Sequence, residues 1–72
     1  MNSGRFKDTF INKFNSLFQL AVLKFELGEI NKSTILFQQR LELAIDYGDS
    51  NYIEEAEIDI QQLYEKRLSQ QN

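Results

Sequence analysis

Hydrophobic residues recur at steps of three and four along most of the chain, which is the spacing of one face of an α-helix. Because the chain contains no Pro, its strongest breaks are glycines, and Gly28 and Gly48 separate three segments of helical length. The pattern therefore predicts three amphipathic helices and a polar tail, at residues 5–27, 31–47, 51–68 and 69–72.

The helix ends are predicted from capping residues. Asn31 is placed to cap the second helix, and Asn51 with Glu54 three residues later fits a capping box for the third. The apolar rows of the second helix cover about half of its circumference, which is too wide for contact with one neighbour. We expect an all-α unit in which the second helix lies between the other two.

The composition limits the chemistry. Apolar residues make up 42% of the chain, which favours a folded domain over a disordered one. Without His or Cys the chain cannot build a Ser-His-Asp site, a Cys-His site or an ordinary structural zinc site. No arrangement of carboxylates has the spacing of a calcium loop. We expect a protein that is not an enzyme, with no cofactor and no metal.

The sequence also favours a particular location. The longest apolar run is Leu20 to Leu23, whereas about 20 apolar residues are needed to span a bilayer. The first residues lack the apolar core of a secretory signal. We expect a cytoplasmic protein that has no contact with a membrane.

The stretch from residue 17 to 44 resembles a tetratricopeptide repeat, a helix-turn-helix unit of about 34 residues. The matching positions are Leu17, Leu20, Ala21, Phe25, Gly28, Glu29, Ile30, Ser33, Phe37 and Leu41. Lys24 and Arg40 depart from the pattern, Arg40 at a position where the family has a small residue. The resemblance implies about one and a half repeats and a concave surface lined by first helices. It makes exposed positions there candidates for contact with a protein partner: Lys13, Ser16, Gln19 and Lys24.

The first helix is the predicted site of self-association. A chain this short buries only about 60% of its unfolded surface, so an oligomeric interface would add needed stability. The first predicted helix is about 34 Å long and the second about 25 Å, which leaves an overhang rich in Phe. We therefore predict a homodimer that packs through Phe6, Phe10, Ile11 and Phe14.

Charge is unevenly distributed. Residues 1–40 carry a net charge of +3 and residues 41–72 a net charge of −6, which suits packing of a basic first helix near an acidic third helix. A second interpretation is an acidic face that docks on a basic protein. Its residues are Asp46, Asp49, Glu54, Glu55, Glu57 and Asp59. The net charge of −3 disfavours direct binding of nucleic acid.

Two functional hypotheses follow. The first is a small non-catalytic module that self-associates through the first helix and binds another protein as an adaptor or regulator. The alternative is an acidic antagonist, such as a nuclease inhibitor or a mimic of nucleic acid, that acts through its third helix.

Overall fold

The computed structural model of the chain describes the backbone of residues 3–71 and the side chains of residues 7–69. It contains three α-helices, and no strand occurs within residues 3–71, so the predicted all-α class is confirmed. The helices are α1 (Ser3–Glu26), α2 (Ile30–Tyr47) and α3 (Ser50–Gln71). The last helix reaches Gln71, although the sequence predicts a polar tail from residue 69.

Both connections are closed by a glycine in the left-handed region. Gly28 has φ 85° and Gly48 has φ 90°, values that residues with a side chain rarely adopt. The Gly48 N–H donates to the Ala44 carbonyl at 3.0 Å, and the Glu29 N–H donates to the Lys24 carbonyl at 2.9 Å. These bonds satisfy carbonyls that the helix ends would leave unpaired, and they keep the connections short.

The helix caps differ from those that the sequence predicts. Asp49, not Asn51, caps α3, because its Oδ1 accepts the Asn51 N–H at 2.9 Å. At the start of α2 the cap position is Glu29 rather than Asn31, and the Glu29 side chain makes no capping hydrogen bond. That carboxylate instead pairs with Lys32 at 2.9 Å and with Lys24 at 3.6 Å. The hydrogen bond from Lys32 is the main cause of a lowered pKa at Glu29.

The second helix forms the centre of the fold. Both α1 and α3 pack against α2, as its wide apolar surface predicts, while the backbones of α1 and α3 stay apart within the described residues. Two buried clusters hold the three helices together. One contains Phe10, Phe14, Ala44 and Ala56, and the other contains Ala21, Phe37 and Leu63.

One contact between α1 and α2 is made by small side chains. Ala21 and Ser33 are fully buried, and the Ser33 hydroxyl donates to the Ala21 carbonyl at 2.7 Å. A small residue allows the two backbones to approach, and the hydrogen bond satisfies a hydroxyl that would otherwise be buried without a partner.

An aromatic cluster fills the end of the fold near Gly48. The Phe10 ring stacks on Tyr47 with centroids 4.0 Å apart and meets Tyr52 edge-on at 4.9 Å. Phe14 meets Tyr52 edge-on at 5.2 Å. These contacts join side chains from all three helices at one point, since Tyr47 is the last residue of α2 and Tyr52 lies in the first turn of α3.

The aromatic cluster corrects one premise of the sequence analysis. Phe10 and Phe14 do have partners within the chain, because they are 6% and 1% exposed, and Ile11 is half-buried beside them. These side chains are core residues rather than a free surface. The Phe6 side chain lies outside the described residues, and a homodimer as such stays a prediction.

Removal of the Phe14 ring tests the position of the core. We expect Phe14→Ala to lower the free energy of unfolding by about 3–5 kcal/mol, because it leaves a cavity at a site shared by three helices. The matched control is Ile45→Ala, which shortens a 54% exposed side chain of α2 and is expected to change stability by less than about 1 kcal/mol. Urea unfolding followed by circular dichroism measures both, and similar losses in the two variants would contradict this core.

Candidate functional site

A groove runs between α1 and α3, with α2 as its floor. Its volume is about 270 Å³. We call it the α1–α3 groove, and it is lined by Phe18, Val22, Phe25, Glu26, Phe37, Asp59, Gln62, Leu63 and Lys66. The α1 residues follow steps of four, three and one, and the α3 residues follow steps of three, one and three. Each wall is therefore a single helix face.

The groove exposes aromatic surface above a buried floor. Phe18 is 38% exposed on the α1 wall, while Phe37 and Leu63 are buried beneath it. The Phe18 and Phe37 rings meet edge-on at 6.1 Å, and the Lys66 ammonium lies 6.0 Å from the centre of the Phe25 ring. The walls are thus mainly apolar, with charged groups along the rim.

Arg40 is the residue that positions both walls. It projects from α2 and is only 3% exposed. Its Nε donates to the Phe14 carbonyl of α1 at 3.2 Å, and its Nη1 donates to the Asp59 carboxylate of α3. Its guanidinium carbon lies 3.8 Å from the centre of the Phe14 ring and 4.9 Å from that of Phe18. One side chain therefore joins all three helices beside the groove.

The Arg40 charge needs these partners. A buried guanidinium is costly unless carboxylates and hydrogen-bond acceptors surround it, and Asp59 provides the nearest charge. Glu55, one turn earlier on α3, adds a second carboxylate 3.9 Å from Nη2. Aromatic faces supply further stabilisation, since a cation over a ring is attracted by its electron density. Arg40 satisfies these contacts only when both neighbouring helices are in place, so it ties α1 and α3 to α2 beside the groove.

The groove offers an apolar surface with charged groups at its rim. Its volume is slightly below the range of about 300–1,000 Å³ that is usual for small-molecule sites, which suits one or two apolar side chains. Glu26, Asp59 and Lys66 can orient polar groups of an occupant at the rim. Among the described residues no group of three or more metal-binding side chains comes together.

The residues that the sequence proposes for partner binding lie elsewhere. Lys13 lines a shallow depression between α1 and α2, and Lys24 lines a second one on the same seam. Ser16 and Gln19 are exposed on α1 but do not line the α1–α3 groove. The prediction places the binding surface on the first helix, and the α1–α3 groove, which is more enclosed than these two depressions, lies on a different face of that helix.

The predicted acidic face is divided among several surfaces. Asp59 and Glu55 point towards Arg40, and Asp49 is occupied as the cap of α3. Asp46 lines the depression that contains Lys13. Glu54 and Glu57 are exposed on α3. The six carboxylates therefore do not form one continuous patch.

The sequence analysis misses the groove residues because they resemble core positions. The apolar stripe of α1 contains Phe18, Val22 and Phe25. These residues lie at the edge of the stripe, where the groove opens, whereas Phe14 and Ala21 lie at its buried centre. A signal was present in Arg40. A charged residue within the apolar row of a central helix indicates that its charge is buried and that the neighbouring helices provide carboxylates or carbonyls to stabilise it.

Comparison of the chain with protein-family models, with curated proteins and with solved structures finds no match. Within residues 3–71 no helix combines the length and the apolar character that crossing a membrane requires.

A double-mutant cycle tests the role of Arg40. We expect Arg40→Met to lower the free energy of unfolding by about 2–3 kcal/mol, because it leaves Asp59 half-buried without its cation. The double variant Arg40→Met/Asp59→Leu should recover most of that loss, since two apolar side chains replace the pair. Thermal and urea unfolding of the four proteins give the coupling energy, and strictly additive effects of the two changes would contradict the contact.

Proposed function

We propose that this chain is a non-catalytic interaction module that binds an apolar segment of another protein in the α1–α3 groove. The observation that carries the proposal is the partly exposed Phe18 ring above a buried apolar floor. An apolar concave site with a few polar groups at its rim is the kind of surface that commonly binds a ligand or a protein segment. The rim charges give such a segment its orientation and register.

The arrangement of the hairpin supports a tetratricopeptide-like interpretation of the same surface. The turn at Gly28 joins antiparallel helices, and Ser33 allows the close approach to Ala21 that small residues provide in such repeats. In this interpretation α1 and α3 would be the first helices of successive units, and the groove between them would belong to the concave surface that the resemblance implies. Arg40 remains a departure, and its size is accommodated by the rings of Phe14 and Phe18.

The acidic-antagonist hypothesis has less support. A nucleic-acid mimic needs a row of carboxylates on one face, and here only Glu54 and Glu57 of the predicted set are both exposed and free of an Arg40 contact on α3. It stays the second candidate because these two groups can still meet a basic partner.

The test uses random 16-residue peptides displayed on phage and selected on the purified full chain. Peptides that bind are synthesised and titrated into isotope-labelled protein, and amide shifts are followed by NMR. We expect the largest shifts on the two helical walls, at residues 18–26 and 59–66, and an apolar side chain in every bound peptide. Val22→Lys should weaken binding by about tenfold or more, because it brings a charge into the apolar wall.

Two control variants make the outcome specific. Ile45→Lys places the same charge on an exposed position outside the groove and should change the affinity by less than about twofold. Glu54→Lys/Glu57→Lys reverses two charges of the acidic face. Binding that survives Val22→Lys but is lost in the double charge reversal would reject the groove and favour the antagonist.

A further inference from the structure

Outside the groove, the chain carries two exposed apolar surfaces that differ in charge. The basic patch lies on α1 and the start of α2 and consists of Leu20, Leu23, Leu27 and Ile35 with Lys24 and Lys32. The acidic patch lies on α3 and consists of Ile58, Tyr64 and Leu68 with Glu54, Glu57 and Glu65. Their large apolar side chains are between 42% and 65% exposed.

The two patches lie on opposite edges of the fold. At about 100° per residue, Leu20, Leu23 and Leu27 fall on the side of α1 away from the groove. Leu20 and Ile35 line the outer seam of α1 and α2, far from α3. On α3 the residues that face α1 are Asp59, Gln62 and Lys66, and Ile58, Tyr64 and Leu68 fall on its other sides. One patch can therefore contact a neighbour while the other stays free.

Charge selects which surfaces meet. In the basic patch Lys24 and Lys32 share a single carboxylate, that of Glu29, which leaves a local charge of about +1. The acidic patch brings three carboxylates around its apolar side chains. Two basic patches or two acidic patches would place like charges opposite each other, whereas a basic patch on an acidic patch pairs opposite charges.

We propose that the occupant of each patch is a second copy of this chain, bound head to tail with the basic patch of one copy on the acidic patch of the next. Such a heterologous contact uses two different surfaces and is not satisfied by two copies related by a two-fold axis, so it gives larger oligomers, as a closed ring or an open series, whose population grows with concentration. It buries both apolar surfaces, and a two-fold contact through either patch alone would bury one. The contact leaves the α1–α3 groove open, so the proposal is independent of the proposed function.

The head-to-tail contact predicts an assembly whose growth can be blocked by a change in either patch. The first variant is Leu23→Glu/Leu27→Glu, which brings acidic charge to the basic patch. The second is Ile58→Lys/Leu68→Lys, which brings basic charge to the acidic patch. All four positions are at least 45% exposed, so both variants should keep the helical content of the parent chain, as checked by circular dichroism.

Sedimentation velocity on concentration series gives the expected pattern. The parent chain should show a mean mass that rises continuously with concentration and falls at high salt, where charges are screened over about 3 Å at 1 M. Each variant alone should remain a monomer. Their equimolar mixture should form a complex of two chains and nothing larger, because the first supplies the only intact acidic patch and the second the only intact basic patch.

Three results would overturn the proposal. A parent chain that stays monomeric throughout the concentration series would show that the head-to-tail contact does not form. Dimerisation of either variant by itself would show a contact between two identical patches. A mixture in which both variants stay monomeric would show that the patches do not bind each other. As a matched control, Ile45→Lys alters an exposed apolar residue outside both patches and should leave the association of the parent chain unchanged.

Discussion

The burial of one guanidinium among three helices is the constraint on which the rest of this structure depends. Arg40 projects from the central helix into a space where water cannot solvate it, so its charge must be met by groups of the protein. Those groups come from both neighbours, the Phe14 carbonyl of α1 and the Asp59 carboxylate of α3. Because hydrogen bonds are directional, this arrangement fixes the outer helices relative to α2 more narrowly than apolar packing alone does.

The same side chain relates the core to the groove. The Arg40 guanidinium lies over Phe14, which is buried, and near Phe18, which is partly exposed. Asp59 pairs with it and also lines the groove. An occupant of the groove would exclude water from the Asp59 pair and strengthen it, since charges interact more strongly where the local dielectric constant is low. The proposed binding would therefore be linked to helix packing through one residue.

The sequence predicts local features of this fold better than distant contacts. The periodicity of the apolar residues and the positions of Gly28 and Gly48 suffice for three helices, because both signals act within a few residues. The sequence analysis assigns Phe10 to a homodimer interface, because the predicted lengths of the first and second helices leave it without a partner in the same chain. Its partners, Tyr47 and Tyr52, come from the ends of two other helices and meet only after the chain has turned at Gly48. The groups that stabilise the Arg40 charge belong to Phe14, 26 residues before it, and to Asp59, 19 residues after it. No local sequence pattern reaches that far.

The arrangement of two outer helices around one central helix explains why apolar surface remains outside the core. The central helix has a neighbour on each side, so its apolar rows are covered by α1 and α3. The backbone of each outer helix packs on α2 alone, α1 and α3 meet through side chains such as Phe14 and Tyr52, and within residues 3–71 no further helix covers the rest. The uncovered apolar positions therefore fall where the outer helices face each other, at the groove, and along their outer edges, at Leu20 to Leu27 and at Ile58 to Leu68. A short chain with one central helix thus has its exposed apolar surfaces placed by the geometry that also gives it a core.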